Sequence, residues 1–464
     1  MVPELTFSGM TRRNVAIYTV PVNGKYLVYA PLKQMAFIGN EALVNAIHDH
    51  LNNKSIYKHF NHELIIALKK TKLFEPDTTR FSTCDCNQRF YPTLCILMPT
   101  SACNLACTYS YASYEGKKTN SLKWPVAKRA IDIAYENSVN YEIDKFALSF
   151  HGGGEPTLNK SLFFKAIGYA RKLDANCPVS VTTNAVWDKD FRNRALDLLN
   201  EISISFDGNE TTQNRQRPDR SGSGTFSKVM ETIREIENRN IPYGIRMTVT
   251  KESLPELGSN MDFMIHHTNC KSFQVEPVYN QGRAADAGMT IQDVDKFVGI
   301  FMDIHQSARE KGRSVHYSSA RPHLITNTFC TATSNALIVT SDGNLTACYE
   351  VFDHSHLLAD YFIIGKIDPK EGASLFPEKR ENLLKKISEN RESCNECFCY
   401  YHCAGDCPPK AMMAHLNHDT FRCTVTRAIT LELILEKIIE SNGFWSGNTP
   451  ENHSSVNPEG YESG

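Results

Sequence analysis

Residues 93–111 read Thr93-Leu-Cys-Ile-Leu-Met-Pro-Thr-Ser-Ala-Cys103-Asn-Leu-Ala-Cys107-Thr-Tyr-Ser110-Tyr111. The apolar run from Leu94 to Met98 has the length and content of a buried strand, and Pro99 ends it. The loop that follows carries two cysteines four positions apart, then a serine three further on. A third cysteine at that position would complete a cluster-binding loop. The reading of this strand and loop depends on what repeats after it.

Downstream, short apolar strands alternate with helical segments. TLCILMP is followed by a helix near 124–138, KFALSFH by 160–173 and PVSVTTN by 188–199. EISISFD is followed by 225–239, YGIRMTVT by 255–267 and SFQVEP by 291–312. Six β–α units in a row predict an α/β fold with a parallel sheet covered by helices. Six units without a closing pair predict a partial (β/α)6 barrel over residues 92–320.

Upstream, residues 1–91 predict a small separate module. VAIYTVPV and KYLVYAPL flank the turn Asn23-Gly24, a hairpin signal. NEALVNAIHDHL and HELIIALKKTKLF have apolar residues three or four apart, as helices do. Strand, strand, helix, helix at this size predicts a winged-helix-like module. Downstream, residues 321–435 lose the β–α rhythm and become cysteine-rich. The segment 436–464 ends in a polar stretch rich in Gly, Pro and Ser, and is expected to be disordered.

The chain has 464 residues, is 41% hydrophobic and carries a net charge of -2. That balance argues against nucleic acid as the main partner, which would need a basic face. No apolar run approaches the roughly 18 residues that span a membrane, and the N-terminus has no apolar signal core, so a cytoplasmic protein is expected. In that compartment, 15 cysteines point to metal ligands or buried thiols rather than disulfides. Ten lie in two groups: Cys103 with Cys107, and eight from Cys330 to Cys423. Cys84, Cys86, Cys95, Cys177 and Cys270 read as incidental.

In a β/α barrel the loops after the strands converge on one face, where chemistry collects. Four unusual loops fall there. Strand one leads into Cys103–Tyr111, strand two into His151-Gly-Gly-Gly-Glu-Pro156, strand three into Thr183-Asn184 and strand four into Ser205-Phe-Asp-Gly208. A carboxylate beside exposed backbone carbonyls suits an ammonium group. A phosphate cradle would want a P-loop lysine, which is absent here.

These loops together resemble those of the radical S-adenosylmethionine (SAM) superfamily. Its first loop, Cys-x3-Cys-x-aromatic-Cys, holds a [4Fe–4S] cluster whose fourth iron is chelated by SAM. The resemblance implies that Cys103, Cys107 and the position of Ser110 form the cluster site, with Tyr109 near adenine. It implies that Gly153, Gly154 and Glu155 receive the SAM ammonium. Ser205, Arg217 in Gln-Asn-Arg-Gln-Arg-Pro, and Arg246 in strand five are implied as further SAM contacts. The C-terminal cysteines resemble a SPASM domain with two auxiliary [4Fe–4S] clusters. The pattern is Cys330-x12-Gly343-x4-Cys348, then Cys394-x2-Cys397-x5-Cys403-x3-Cys407, then Cys423. By that pattern Cys394, Cys397, Cys403 and Cys423 hold one cluster, and Cys330, Cys348 and Cys407 the other, with an iron left open. Cys399 is a spare thiol. Two zinc sites are the rival for paired cysteines.

Serine at 110 departs from the family. A hydroxyl is a poor cluster ligand beside a thiolate, so the SAM cluster is expected to be weak or absent. Either this is a Cys→Ser variant with SAM cleavage lost, or a natural pseudoenzyme that binds peptide. The N-terminal module favours a maturase of ribosomally made peptides, acting on a precursor with a leader sequence and drawing on a donor such as flavodoxin or ferredoxin. An anaerobic sulfatase-maturing, formylglycine-generating enzyme is the alternative.

Overall fold

The structure, a computed structural model, describes residues 8–12, 15–51, 66, 70–77, 90–111, 119–143, 146–333, 335–370, 372–417 and 420–447. The chain divides into two compact units. The smaller takes residues 1–85, 319–329 and 385–460, and the larger takes mainly 86–318 and 330–384.

In the smaller unit, β1 (Ser8–Arg12), β2 (Val15–Val22), β3 (Lys25–Ala30) and β4 (Met35–Gly39) form an antiparallel sheet. The Asn23-Gly24 turn joins β2 to β3 with both residues at positive φ, as a tight hairpin requires. A fifth strand comes from far along the chain: Phe444–Ser446 pairs antiparallel with β4. Residues 436–447, expected to begin a disordered tail, are instead the end of helix Phe421–Glu440 and this strand. The expected helix at 41–51 is present, whereas that at 62–74 lies largely outside the described residues.

Both faces of this sheet are buried. Val15, Ile17, Val28, Ala30 and Phe37 pack on Leu43, Ile47 and Leu51 of the helix. Ala16, Tyr18, Val20, Leu27 and Tyr29 pack on Phe398, Cys399, Ile434 and Ile438 from the C-terminal region. Burying each such large apolar side chain contributes roughly 1.5–3 kcal/mol.

The larger unit is built on one open sheet. Its strands are β5 (Leu94–Leu97), β6 (Ala147–Phe150), β7 (Val179–Thr183), β8 (Glu201–Ser205), β9 (Tyr243–Val249) and β10 (Ser272–Pro277), all parallel and in chain order. The six expected β–α units are therefore present, with helices at 124–140, 160–173, 189–196, 226–238, 257–267 and 294–310. Their starts are written locally: Asn159, Asp188 and Asp293 each accept a backbone N–H of the first helical turn.

The sheet extends past both ends of this series. β11 (Ser314–His316) adds parallel to β10. On the other edge β12 (Ala336–Val339) pairs parallel with β5, and β13 (Asn344–Thr346), β14 (Ile363–Asp368) and β15 (Gly372–Leu375) continue antiparallel. Part of the cysteine-rich region thus continues the barrel sheet.

Along the strands two rows alternate, as the pleat demands. Val179, Val181, Ile202, Ile204, Ile245, Met247, Phe273 and Val275 are buried. Ser180, Thr182, Ser203, Ser205, Arg246, Thr248, Gln274 and Glu276 are only half-buried. The second row gives the sheet a polar face. Among the described residues no helix is long and apolar enough to cross a membrane.

Candidate functional site

The loop after β5 is held by its own backbone against two neighbours. Ala106 N–H donates to the Pro218 carbonyl at 2.8 Å and Thr108 N–H to the Gln216 carbonyl at 2.9 Å. Arg220 Nε donates to the Cys103 carbonyl at 2.6 Å, and Arg283 Nη1 to the Cys107 carbonyl at 2.7 Å. Gly282, at φ +55°, lets Arg283 N–H reach the Ser110 carbonyl at 3.2 Å. A Cβ on Gly282 would stand 2.6 Å from that oxygen. Position 110 is therefore gripped through its backbone, whatever its side chain.

Each thiol of the loop faces a side-chain N–H donor. Arg217 Nη1 donates toward Cys107 Sγ at 3.9 Å, and Asn184 Nδ2 toward Cys103 Sγ at 3.9 Å. Leu105 N–H also donates to Cys103 Sγ, at 3.5 Å. Burial, with the charge of Glu155 second, pushes the Cys103 thiol up to about 12. Burial also raises Cys107, opposed by the Arg217 charge.

Asp207 is the hub of this rim. Its Oδ2 accepts from Tyr109 Oη at 2.6 Å, Gln216 Nε2 at 2.8 Å and Arg217 Nε at 2.9 Å, and its Oδ1 from Thr248 N–H at 3.0 Å. The side chains of Asp207 and Arg217 are 0% and 9% exposed. So buried a pair depends on its hydrogen bonds: Asp207 accepts four, and Arg217 donates to Asp207 and toward Cys107. Burial works against the Arg217 charge, but Asp207, Tyr109 and Cys107 more than offset it and keep the guanidinium protonated. That guanidinium lies 5.2 Å from the Tyr109 ring centre. Tyr109, Arg217 and Cys107 thus meet at one point of the rim.

Glu155 sits at the opposite flank of the loop. Its Oε1 accepts from Thr157 Oγ1 at 2.6 Å and Thr183 Oγ1 at 2.7 Å, and its Oε2 from Asn184 N–H at 2.8 Å. Burial raises its pKa against these hydrogen bonds. In this geometry the carboxylate ties the ends of β6 and β7 together. The neighbouring Gly154 lies directly on the cysteine loop: a Cβ there would stand 2.2 Å from the Ala102 carbonyl oxygen. Glu155 N–H donates to the same oxygen at 2.8 Å. Ser205 ends β8 beside Arg246 of β9. The Arg246 charge reaches Tyr111 and Tyr349, so these residues share the barrel rim.

Of the residues the sequence singled out, the structure brings together Cys103, Cys107, Tyr109, Gly154, Glu155 and Arg217. Sequence reading missed Asp207, Asn184 and Gln216 as working side chains. The signal available was their place, at the ends of β7 and β8 and one residue before Arg217. Cys95 is fully buried in β5 beside Cys177, away from the loop.

The remaining thiols fall in both units. Cys330 and Cys348 are neighbours in the larger unit, and burial followed by Glu350 raises Cys348. Tyr349 beside them stacks on His151 at 4.2 Å. Cys407, the third residue of that expected set, belongs to the smaller unit. In the smaller unit Cys394, Cys397, Cys403 and Cys423 are close enough to perturb one another. Cys403 is raised by burial, then by Asp406, Cys423, Cys397 and Cys394. The Cys399 thiol faces Cys397 and holds its pKa below that of an ordinary thiol, with Arg427 assisting. Among the described residues no three His, Cys, Asp or Glu side chains converge as a single metal ion needs. A cubane spreads its thiolates over separate irons, whereas zinc gathers them on one centre.

A profile of the Radical SAM superfamily matches residues 97–264. An uncharacterized protein of Methanocaldococcus jannaschii is 30% identical over 175 residues, 37% of this chain, and the match spans 57% of that relative's length. The serine-type anaerobic sulfatase-maturating enzyme of Klebsiella aerogenes is 24% identical over 68% of this chain and 78% of its own. The sporulation killing factor maturation protein SkfB of Bacillus subtilis is 26% identical over 58% of this chain and 64% of its own. Among solved structures, native anSMEcpe with bound AdoMet and Cp18Cys peptide superposes with a TM-score of 0.54 at 19% identity, covering 73% of this chain and 99% of that one. At that identity the likeness concerns the fold.

Proposed function

We propose that this chain is a radical SAM enzyme, a SPASM-type maturase of a ribosomally made precursor peptide, and that Ser110 stands where the active form has cysteine. The observation that carries this reading is the rim itself. Two thiols are held in a fixed loop, each with an N–H donor toward its sulfur, between the Asp207–Arg217–Tyr109 group and the Glu155–Gly154 flank.

When bound, the cluster and SAM supply a 5′-deoxyadenosyl radical that abstracts hydrogen from the substrate. The chain's own residues do the rest. Cys103 and Cys107 provide two of the three thiolates, and position 110 provides the third when it is cysteine. Arg217, fixed by Asp207, would offer a positive charge to the SAM carboxylate. Tyr109 offers its ring face beside that charge, toward adenine. Gly153 and Gly154 let backbone carbonyls approach the SAM ammonium, with Glu155 holding that backbone in place. Ser205 and Arg246 line the rim on the far side. Cys394, Cys397, Cys403 and Cys423 hold one auxiliary cluster, and Cys330 and Cys348 contribute to another.

In this reading the winged-helix-like module receives the leader peptide, and a cytoplasmic donor such as flavodoxin or ferredoxin supplies electrons. Phe444–Ser446 occupies the β4 edge of the sheet, so a peptide adding as a strand would use an outer edge.

The second reading, sulfatase maturation, is favoured by the Klebsiella relative, which is matched over 78% of its length. One experiment separates them. The Ser110→Cys protein is reconstituted anaerobically and given either a sulfatase peptide or the precursor peptide encoded beside its gene. Peptide maturation predicts 5′-deoxyadenosine with a mass loss on the precursor only. Formylglycine formation on the sulfatase peptide would overturn it.

A further inference from the structure

We propose that the N-terminal sheet is the second wall of the four-thiol site, with Tyr18 as its positioning residue, so that filling the site and ordering the sheet are linked. This rests on the reading that Cys394, Cys397, Cys403 and Cys423 hold a cluster.

The Cys394–Cys397 turn is closed by its own backbone, with Cys397 N–H donating to the Cys394 carbonyl at 2.8 Å. The Asn395 carbonyl inside that turn accepts from Tyr18 Oη of β2 at 3.1 Å. Tyr18 is 1% exposed, so the bond joins a buried side chain of the sheet to the exposed Asn395 turn and is itself half-buried. Its ring meets the Tyr401 edge at 6.5 Å and 66°, two residues before Cys403. Beside it Tyr29 of β3 packs in the same core as Cys399. Ile434 and Ile438 of that core come from helix Phe421–Glu440, which carries Cys423.

Every segment that brings a thiol to the site therefore leans on one face of the sheet. The turn does so through Tyr18, the 398–403 segment through Phe398 and Tyr401, and the helix through its isoleucines. A metal that fixes the thiols must then stabilise the sheet, and the ordered sheet must tighten metal binding by the same factor, because linkage is reciprocal for binding free energies; a weaker hold is read as faster release.

The test uses the full chain, loaded anaerobically with iron and sulfide or stripped by a chelator. Hydrogen exchange followed by mass spectrometry over residues 15–30 is expected to slow at least fivefold on loading, while residues 201–205 of β8 do not change. The same loading in Cys397→Ser should give no such protection. Tyr18→Phe keeps the ring and removes one hydrogen bond, so iron release to a colorimetric chelator should quicken about fivefold. Equal exchange over 15–30 in loaded and stripped protein would overturn the inference, as would parent-like iron release by Tyr18→Phe. If analysis finds zinc and no iron at these thiols, the cluster reading fails. The exchange comparison, repeated with zinc, then decides the linkage by itself.

Discussion

The loop at Cys103 and the four-thiol site at Cys394–Cys423 solve one problem in opposite ways. On the proposed reading, both hold sulfurs apart at fixed positions in a folded chain. The first has a complete scaffold and an incomplete set of thiols. Its backbone is gripped from 216–220, from 282–283 and from Gly154, and a charged hub at Asp207 sets its polar side chains. The second has four thiols, but part of its support comes from a sheet nearly four hundred residues away in sequence. Losing a ligand from the first should leave its shape intact, whereas losing the support of the second should loosen its ligands.

The sharpest break of this comparison is Ser110→Cys. The scaffold holds the backbone of position 110, with Ser110 N–H donating to the Cys107 carbonyl and the Ser110 carbonyl accepting from Arg283 N–H, so a thiol of similar size should take the serine's place. The chain as written is expected to make no 5′-deoxyadenosine above background under strong reductant. Ser110→Cys should make it and gain about four irons per chain, one cubane. Turnover by the serine form, measured by chromatography of the nucleoside, would mean that the scaffold tolerates a hydroxyl ligand.

Next in size is Asp207→Asn. It leaves the buried Arg217 charge without its counter-ion, a change that typically costs about 3–5 kcal/mol. Chemical denaturation of the larger unit should show the loss, and SAM affinity should fall with it. A shift of under about 1 kcal/mol would mean that Asp207 is not the hub its four donors suggest.

Gly154→Ala follows. The added methyl meets the Ala102 carbonyl at 2.2 Å, and overpacking of that kind costs about 1–3 kcal/mol. The strain falls on the cysteine loop, so SAM binding by equilibrium dialysis should weaken more than global stability does. The four-thiol site should keep its iron, since it belongs to the other unit.

Much of the barrel is legible in the amino-acid sequence, because its information is local. Each strand is a short apolar run, each helix has a period, and each cap lies one residue ahead of its helix. The special loops could be placed for the same reason, since a parallel sheet puts every strand end on one rim. What cannot be read this way depends on pairing between distant segments. Ala336–Val339 is four residues in a cysteine-rich stretch, and nothing in it says that β5 is its neighbour. Phe444–Ser446 is three residues, too short for any pattern, yet it completes the N-terminal sheet. Asp207 stood in plain sight at the end of strand four. Its role needed Tyr109, Gln216 and Thr248 to be brought around it, and only the fold does that.

The smallest expected effect belongs to Cys399, and it tests whether the four-thiol site has been divided correctly between ligands and support. Cys399 stands two residues from Cys397 and four from Cys403, so spacing alone allows it to be a ligand. The structure buries it in the apolar core with Tyr29 and Ile434, at 2% exposure. Burial is the main reason its pKa is raised well above a normal thiol, followed by its hydrogen bond to Cys397. Cys399 is a fully buried member of that core, whereas Cys397 and Cys403 only border it, so Cys399 is assigned to the sheet's packing rather than to the metal. Cys399→Ala should therefore leave iron per chain unchanged and cost about 1 kcal/mol or less, the scale of a small lost side-chain group. Cys397→Ser, two positions away, should lose the cluster. If Cys399→Ala sheds about four irons while an alanine at Cys403 or Cys394 sheds none, the ligand set has been drawn one residue wrong. The wall contributed by the N-terminal sheet would then touch the metal site directly.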